Sequence, residues 1–185
     1  MLDIKGMLFT ALLELVEAEL GSDVLDSVLD DVKPASGGIY TSVGTYDHTE
    51  LVAMLVSLSK QTKVSLTNLT KTFGMYHFAE FTAAYPYLFE GLNSSFELLE
   101  KIDWFIHAEV RKLYPGAAPP KFECTRLSST SIELIYKSPR CLGDVAEGLI
   151  YGCASHYGEK ILVRRERLGD MTGSTEPFML TMLEK

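Results

Sequence analysis

The sequence predicts an α+β fold, with a helical N-terminal lobe followed by helices packed on a four-stranded antiparallel sheet. Two periodicities carry that prediction. Apolar residues recur at three- and four-residue spacing through the first two-thirds of the chain, and after Pro120 the spacing drops to two. Composition is the third observation. With 46% hydrophobic and 23% charged residues over 185 positions, the chain has enough apolar matter for one domain with a substantial core. The expected organisation is a single domain over 1–185, its helical N-terminal lobe over about 1–64 and its second lobe over about 65–185.

The elements follow in order. Lys5 to Leu20 places Leu8, Leu12, Leu15 and Val16 on one helical face and stops at Gly21. Ser22 can cap a short helix carrying Val24, Leu25, Val28 and Leu29, and Lys33 to Gly38 reads as a loop. Asp47-His48-Thr49-Glu50 has the form of a capping box and opens a helix to about Gln61. Ser65 caps a longer, aromatic-rich helix through Ala84, halted by Pro86. One further helix, from about Ser95 to Leu113, carries His107 and ends at Pro115. Phe122–Leu127 and Ile132–Tyr136 alternate as a hairpin around Ser128-Ser129-Thr130. A helix from about Leu142 to Tyr157 is followed by strands over Ile161–Leu168 and Phe178–Leu183, joined around Asp170 to Gly173.

Charge and composition exclude several functions. A net charge of −8 opposes binding to a phosphate backbone, and the run Arg164-Arg165-Glu166-Arg167, broken by its Glu, reads as the solvated edge of a strand. No nucleic-acid partner is expected. No apolar stretch reaches the roughly 18 residues that span a bilayer, and the N-terminus lacks a signal-peptide pattern. A cytoplasmic protein with no membrane partner is therefore expected. Cys124, Cys141 and Cys153 fit neither a disulfide framework nor a metal knuckle, so they read as reduced thiols. No Gly-rich phosphate loop, kinase or cyclase signature is present.

Chemistry must then come from histidines and from one polar cluster. His48 lies in a capping box and reads as exposed; His156 lies at a helix C-terminus, where a cation suits the helix dipole. His77 lies in the aromatic run Phe73 to Phe78. His107 lies in Asp103-Trp104-Phe105-Ile106-His107-Ala108-Glu109-Val110-Arg111. Taken alone, a helical histidine is more often a packed structural residue than a ligand, although neutral imidazole is a natural haem ligand. Tyr136-x-Ser138-x-Arg140 places alternate residues on one side of a strand end, with Pro139 turning the chain out of the sheet. Such a trio is usually a strand's wet face. It is also what a clamp for paired carboxylates requires.

The ordered combination of motifs is more specific than any member. Lys5-Gly6-Met7-Leu8-Phe9, Tyr40 to Tyr46, His107 through Pro115 with Pro119-Pro120, and Tyr136-x-Ser138-x-Arg140 together resemble the haem–nitric oxide/oxygen binding (H-NOX) family along essentially the whole chain. The resemblance implies non-covalent haem b between two lobes, and no Cys-x-x-Cys-His is present for covalent attachment. It further implies His107 as axial iron ligand, Tyr136, Ser138 and Arg140 as propionate partners, and Pro120 pressing on the porphyrin. Leu8, Leu12, His77, Phe78, Val145 and Leu149 would complete the pocket.

By the same resemblance, members that hold oxygen carry a tyrosine where this chain has Val145. Bound dioxygen carries partial negative charge and gains about 1.5–3 kcal/mol from a donor, so an apolar pocket favours NO. The implied function is a non-enzymatic nitric oxide sensor, also open to CO. NO would weaken the iron–His107 bond and release the proximal pull on the porphyrin, and the domain would signal to a separate histidine kinase or cyclic-di-GMP synthase/phosphodiesterase. Two alternatives stay open. One is an oxygen-binding haem protein or haem enzyme using His77 as a distal group, although no arginine accompanies it. The other is a haem-free domain in which His107 is a core residue.

Overall fold

The computed structural model describes residues 2–165 and 174–184. Strand β1 (Asp3–Lys5) leads into α1 (Met7–Leu20) and α2 (Ser22–Val32); β2 (Thr45–Asp47) then precedes α3 (His48–Thr62) and α4 (Leu66–Ala84). After a 3-10 turn come α5 (Ser95–Lys101), a π-helical turn (Ile102–Ile106) and α6 (His107–Leu113). Strands β3 (Lys121–Ser128) and β4 (Ser131–Lys137), helix α7 (Gly143–His156), β5 (Lys160–Arg165) and β6 (Thr175–Glu184) complete the chain. The four longer strands form one antiparallel sheet in the order β3-β4-β6-β5. This is the α+β architecture expected.

Two apolar cores organise it. The first joins Phe9, Leu12 and Val16 of α1 with Leu51, Met54, Leu55 and Leu58 of α3. The second lies under the sheet, where Ile132, Leu134 and Tyr136 of β4 alternate inward against Phe178 and Leu180 of β6. Helix α4 serves both, with Phe73 in the first core and Phe78 in the second. Helix α7 does likewise, with Val145 in the first and Ala146, Ile150 and Cys153 in the second. These two helices touch at backbone distance. A Cβ on Gly74 would strike the carbonyl of Val145, one on Gly148 the carbonyl of Lys71, and one on Gly152 would lie 2.8 Å from Phe78 Cβ.

Several local expectations differ from the structure. Lys5 does not begin α1: Asp3–Lys5 pairs antiparallel with Thr45–Asp47, a two-stranded ribbon too short for a periodicity argument. Ser22 is the first residue of α2, not its cap, because Gly21 at φ +88° reverses the chain there. Ser65 caps α4 by accepting from Asn68 N–H at 3.2 Å, as expected. Only half of the capping box forms. Asp47 accepts from Thr49 N–H at 2.9 Å, but Glu50 turns away to accept from the hydroxyls of Ser36 and Tyr40 at 2.7 Å each.

The segment expected as one helix, Ser95 to Leu113, keeps its direction but widens to a π turn in the middle. His48 is not exposed: its side chain is 15% accessible and sits 3.3 Å from Asp47. Arg165 is not a solvated edge residue. Its guanidinium pairs with Asp144 and Glu176 and lies 3.5 Å from Glu147. Glu147 in turn holds Lys71 Nζ at 2.5 Å. This network ties α4, α7, β5 and β6 together. The expected turn over Asp170 to Gly173 and the end of the strand to Leu168 lie outside the described residues.

Candidate functional site

Between the two cores lies a cavity walled by β1, α1, α4, the α5–α6 segment, the Ala117–Pro120 stretch and α7. His107 reaches it from the first turn of α6. The imidazole is 8% exposed and its ring centroid lies 5.9 Å from that of Phe122. Burial pushes its pKa down to about 4, against a smaller upward pull from Asp103. At neutral pH it is therefore an uncharged imidazole with a lone pair to offer, in an apolar setting.

The strand-end trio arrives at the same cavity. Tyr136 is 2% exposed, and its hydroxyl accepts from the Leu142 backbone N–H at 3.0 Å. Burial raises its pKa, so it stays a phenol. Two residues on, Ser138 is buried and has left the sheet; its Oγ accepts from Arg140 N–H at 3.3 Å. Arg140 donates from Nη1 to the Ala118 carbonyl at 2.7 Å and from Nε to the Asp3 carbonyl at 3.1 Å. It thereby joins the N-terminal strand to the proline segment, and with five N–H donors on a guanidinium it retains capacity for an anion. The trio thus borders the cavity that His107 also lines.

Most of the other expected residues also line this cavity: Pro120, Leu8, His77, Phe78, Val145 and Leu149. Leu12 does not. It sits one turn beyond Leu8, 1% exposed within the first core, and lines a different groove with Leu55 and Leu58. Ile4 lines the cavity beside Leu8 and Met7 and was missed. Its signal was the alternation Asp3-Ile4-Lys5, polar residues around one apolar residue, in a strand only three residues long. His77 is buried; burial lowers its pKa to about 4, and its Nδ1 is without a hydrogen-bond partner.

The donor set fits a flat, largely apolar, iron-bearing group with two carboxylates. An uncharged imidazole enters an apolar cavity, and a phenol, a hydroxyl and a guanidinium border it. Comparison with known proteins agrees. The family model for Haem-NO-binding matches residues 5–165. The chain is 32% identical to the Fe(II) unliganded H-NOX protein from K. algicida, with 98% of each chain covered and a TM-score of 0.91. The H-NOX protein from S. oneidensis in the Fe(II)NO ligation state is 25% identical, covering 98% of this chain and 100% of that one at TM-score 0.90. The IWP-051-bound H-NOX from Shewanella woodyi in the Fe(II)CO ligation state is 43% identical, covering 96% and 94% at TM-score 0.82. A search of curated proteins gave no match. Motif order, fold and cavity converge: this chain belongs to the haem-NO-binding, or H-NOX, family, whose domains bind haem and sense gases.

Proposed function

We propose that this protein is a haem-based nitric oxide sensor that signals to a separate effector and catalyses no reaction itself. The observation that carries the reading is a single apolar cavity lined both by the uncharged His107 and, where a donor would favour oxygen, by Val145. Haem b, held without a covalent link, supplies a ferrous iron that takes a diatomic gas. His107 is the axial ligand. Tyr136, Ser138 and Arg140 hold the propionates, and Pro120 bears on the macrocycle. Leu8, Phe78, Val145 and Leu149 exclude water and keep hydrogen-bond donors away from the gas.

The NO and CO ligation states named for the two Shewanella relatives support NO and CO as ligands. Signalling requires two conformations that differ in affinity for a partner. Arg140, which links the Asp3 and Ala118 carbonyls across the cavity rim, connects the haem edge to the N-terminal segment. By family resemblance the partner is a histidine kinase or a cyclic-di-GMP synthase/phosphodiesterase in the cytoplasm. Among the described residues no helix is long and apolar enough to cross a bilayer.

A second reading rests on His77. Its buried, unpartnered Nδ1 in a side chain lining the same cavity makes it a candidate donor to bound oxygen. Absorption spectra of the dithionite-reduced protein, taken anaerobically, then with NO, then in air, separate the two. A Soret band that shifts with NO and forms no stable oxygen complex in air is expected. A stable oxy spectrum that disappears in His77→Leu would transfer the assignment to oxygen. No Soret band after reconstitution would remove haem from the account.

A further inference from the structure

An imidazole that gives one ring nitrogen to a metal carries its proton on the other, and that N–H needs an acceptor. In His107, Nδ1 is sealed from solvent and has no hydrogen-bond partner. Nε2 is therefore the nitrogen left for a metal. Facing Nδ1 at 3.6 Å is Oδ1 of Asp103, within ion-pair range but longer than a hydrogen bond.

The carboxylate is held there from two sides. Asp103 belongs to the π turn Ile102–Ile106, which runs directly into His107. The same Oδ1 accepts from the backbone N–H of Phe122 at 3.3 Å, at the start of β3. The Phe122 ring packs against both His107 and Tyr136, with centroids 5.9 Å and 5.6 Å away. Other charged neighbours cannot substitute. Arg111, the other charged group acting on His107, has no acceptor to offer. Glu100 is occupied by Arg126, whose Nε and Nη2 reach its two oxygens at 2.6 Å and 2.9 Å.

We propose that Asp103 is the positioning residue for His107. Its carboxylate accepts the Nδ1 proton, selects the tautomer that frees Nε2, and enriches the ring so that the iron–histidine bond strengthens. The Phe122 N–H couples that carboxylate to the sheet. The proposal rests on the reading of His107 as the axial ligand.

Asp103→Asn keeps the shape and an acceptor oxygen without the charge, whereas Asp103→Ala removes both. Glu100→Gln alters a carboxylate on α5 that is paired with Arg126 instead. Two readouts report on His107 itself: its ring nitrogen chemical shifts in the haem-free protein, and the iron–histidine stretching frequency in the ferrous protein. The parent protein is expected to hold the Nδ1–H tautomer. Asp103→Asn should keep that tautomer but lower the stretching frequency. Asp103→Ala should lose the tautomer preference, lower the frequency further and raise the rate of haem loss about tenfold. Glu100→Gln should change none of these. A parent-like tautomer and frequency in Asp103→Ala would overturn the proposal and leave His107 as ligand. If His107→Ala keeps the same iron ligation, the ligand assignment itself fails, and this proposal with it.

Discussion

At the residue scale, Arg140 is engaged by backbone while it lines the cavity. Arg140 donates to two backbone carbonyls, Asp3 and Ala118, and faces the cavity edge where carboxylates would sit. Arg140→Ala should weaken haem binding by about 1.5–3 kcal/mol, the worth of a charge-assisted hydrogen bond. Transfer of haem to an apo-acceptor protein measures it, and an unchanged transfer rate would count against the clamp. Arg140→Lys should recover only part of the loss, because an ammonium has no planar fork. The Tyr136-x-Ser138-x-Arg140 spacing was legible in the sequence, but strand alternation does not bring the trio together, because β4 ends at Lys137 and Ser138 and Arg140 lie in the turn beyond it. Their present partners were not legible. The Leu142 N–H, the Asp3 carbonyl and the Ala118 carbonyl come from distant segments and a turn with Cys141 at φ 54°.

At the scale of elements, helix contact is decided by glycines that propensity counts as liabilities. Gly74 on α4 and Gly148 on α7 face one another, and neither has room for a methyl group. Alanine in a helix interior is ordinarily favoured over glycine by about 1 kcal/mol. Gly148→Ala should instead destabilise, by about 1–3 kcal/mol, because the obstacle is the Lys71 carbonyl and the two helices must separate. Thermal or denaturant unfolding measures the sign. A stabilised variant would mean that the close contact is dispensable. The helix carrying His107 was visible as a run of apolar residues to Pro115, but its π turn was not. One extra residue in a turn leaves no mark in composition, and it arises where Asp103 meets β3.

For the whole molecule, two buried uncharged histidines, His77 and His107, sit where the two cores meet. Both have folded pKa values of about 4, below the ordinary 6.5. As pH falls through that interval, the unfolded chain takes up protons that the folded chain refuses. Stability of the haem-free protein is therefore complete above pH 6.5 and declines from there toward pH 4. Glu97, Glu100 and Glu123, held below the usual carboxylate range by their pairing with Lys101, Arg126 and Lys137, add the same trend below about pH 4.5. Between pH 5 and 6.5 the histidines dominate. His77→Leu should reduce the pH slope of unfolding free energy there by about 1 kcal/mol per pH unit. Chemical denaturation across that range checks it, and a slope equal to the parent's would mean that His77 titrates normally when folded.

What the sequence by itself determined was the order of the longer helices and of the four sheet strands, the antiparallel hairpin and the set of motifs that mark the family. Those signals are local: periodicity, caps, stop residues and fixed spacing within single elements. Tertiary structure alone decided which faces meet. It enclosed His77 and His107 in one cavity, brought Ile4 to its wall, withdrew Leu12 into the first core and turned Arg165 inward to Asp144 and Glu176. Leu8 and Leu12 share one helical stripe and one core, yet only the turn that carries Leu8 reaches the cavity. The carboxylate facing His107 belongs to the same class. Asp103 lies one turn before His107 in sequence, but its orientation depends on a backbone N–H at the start of a strand that a one-dimensional pattern does not place.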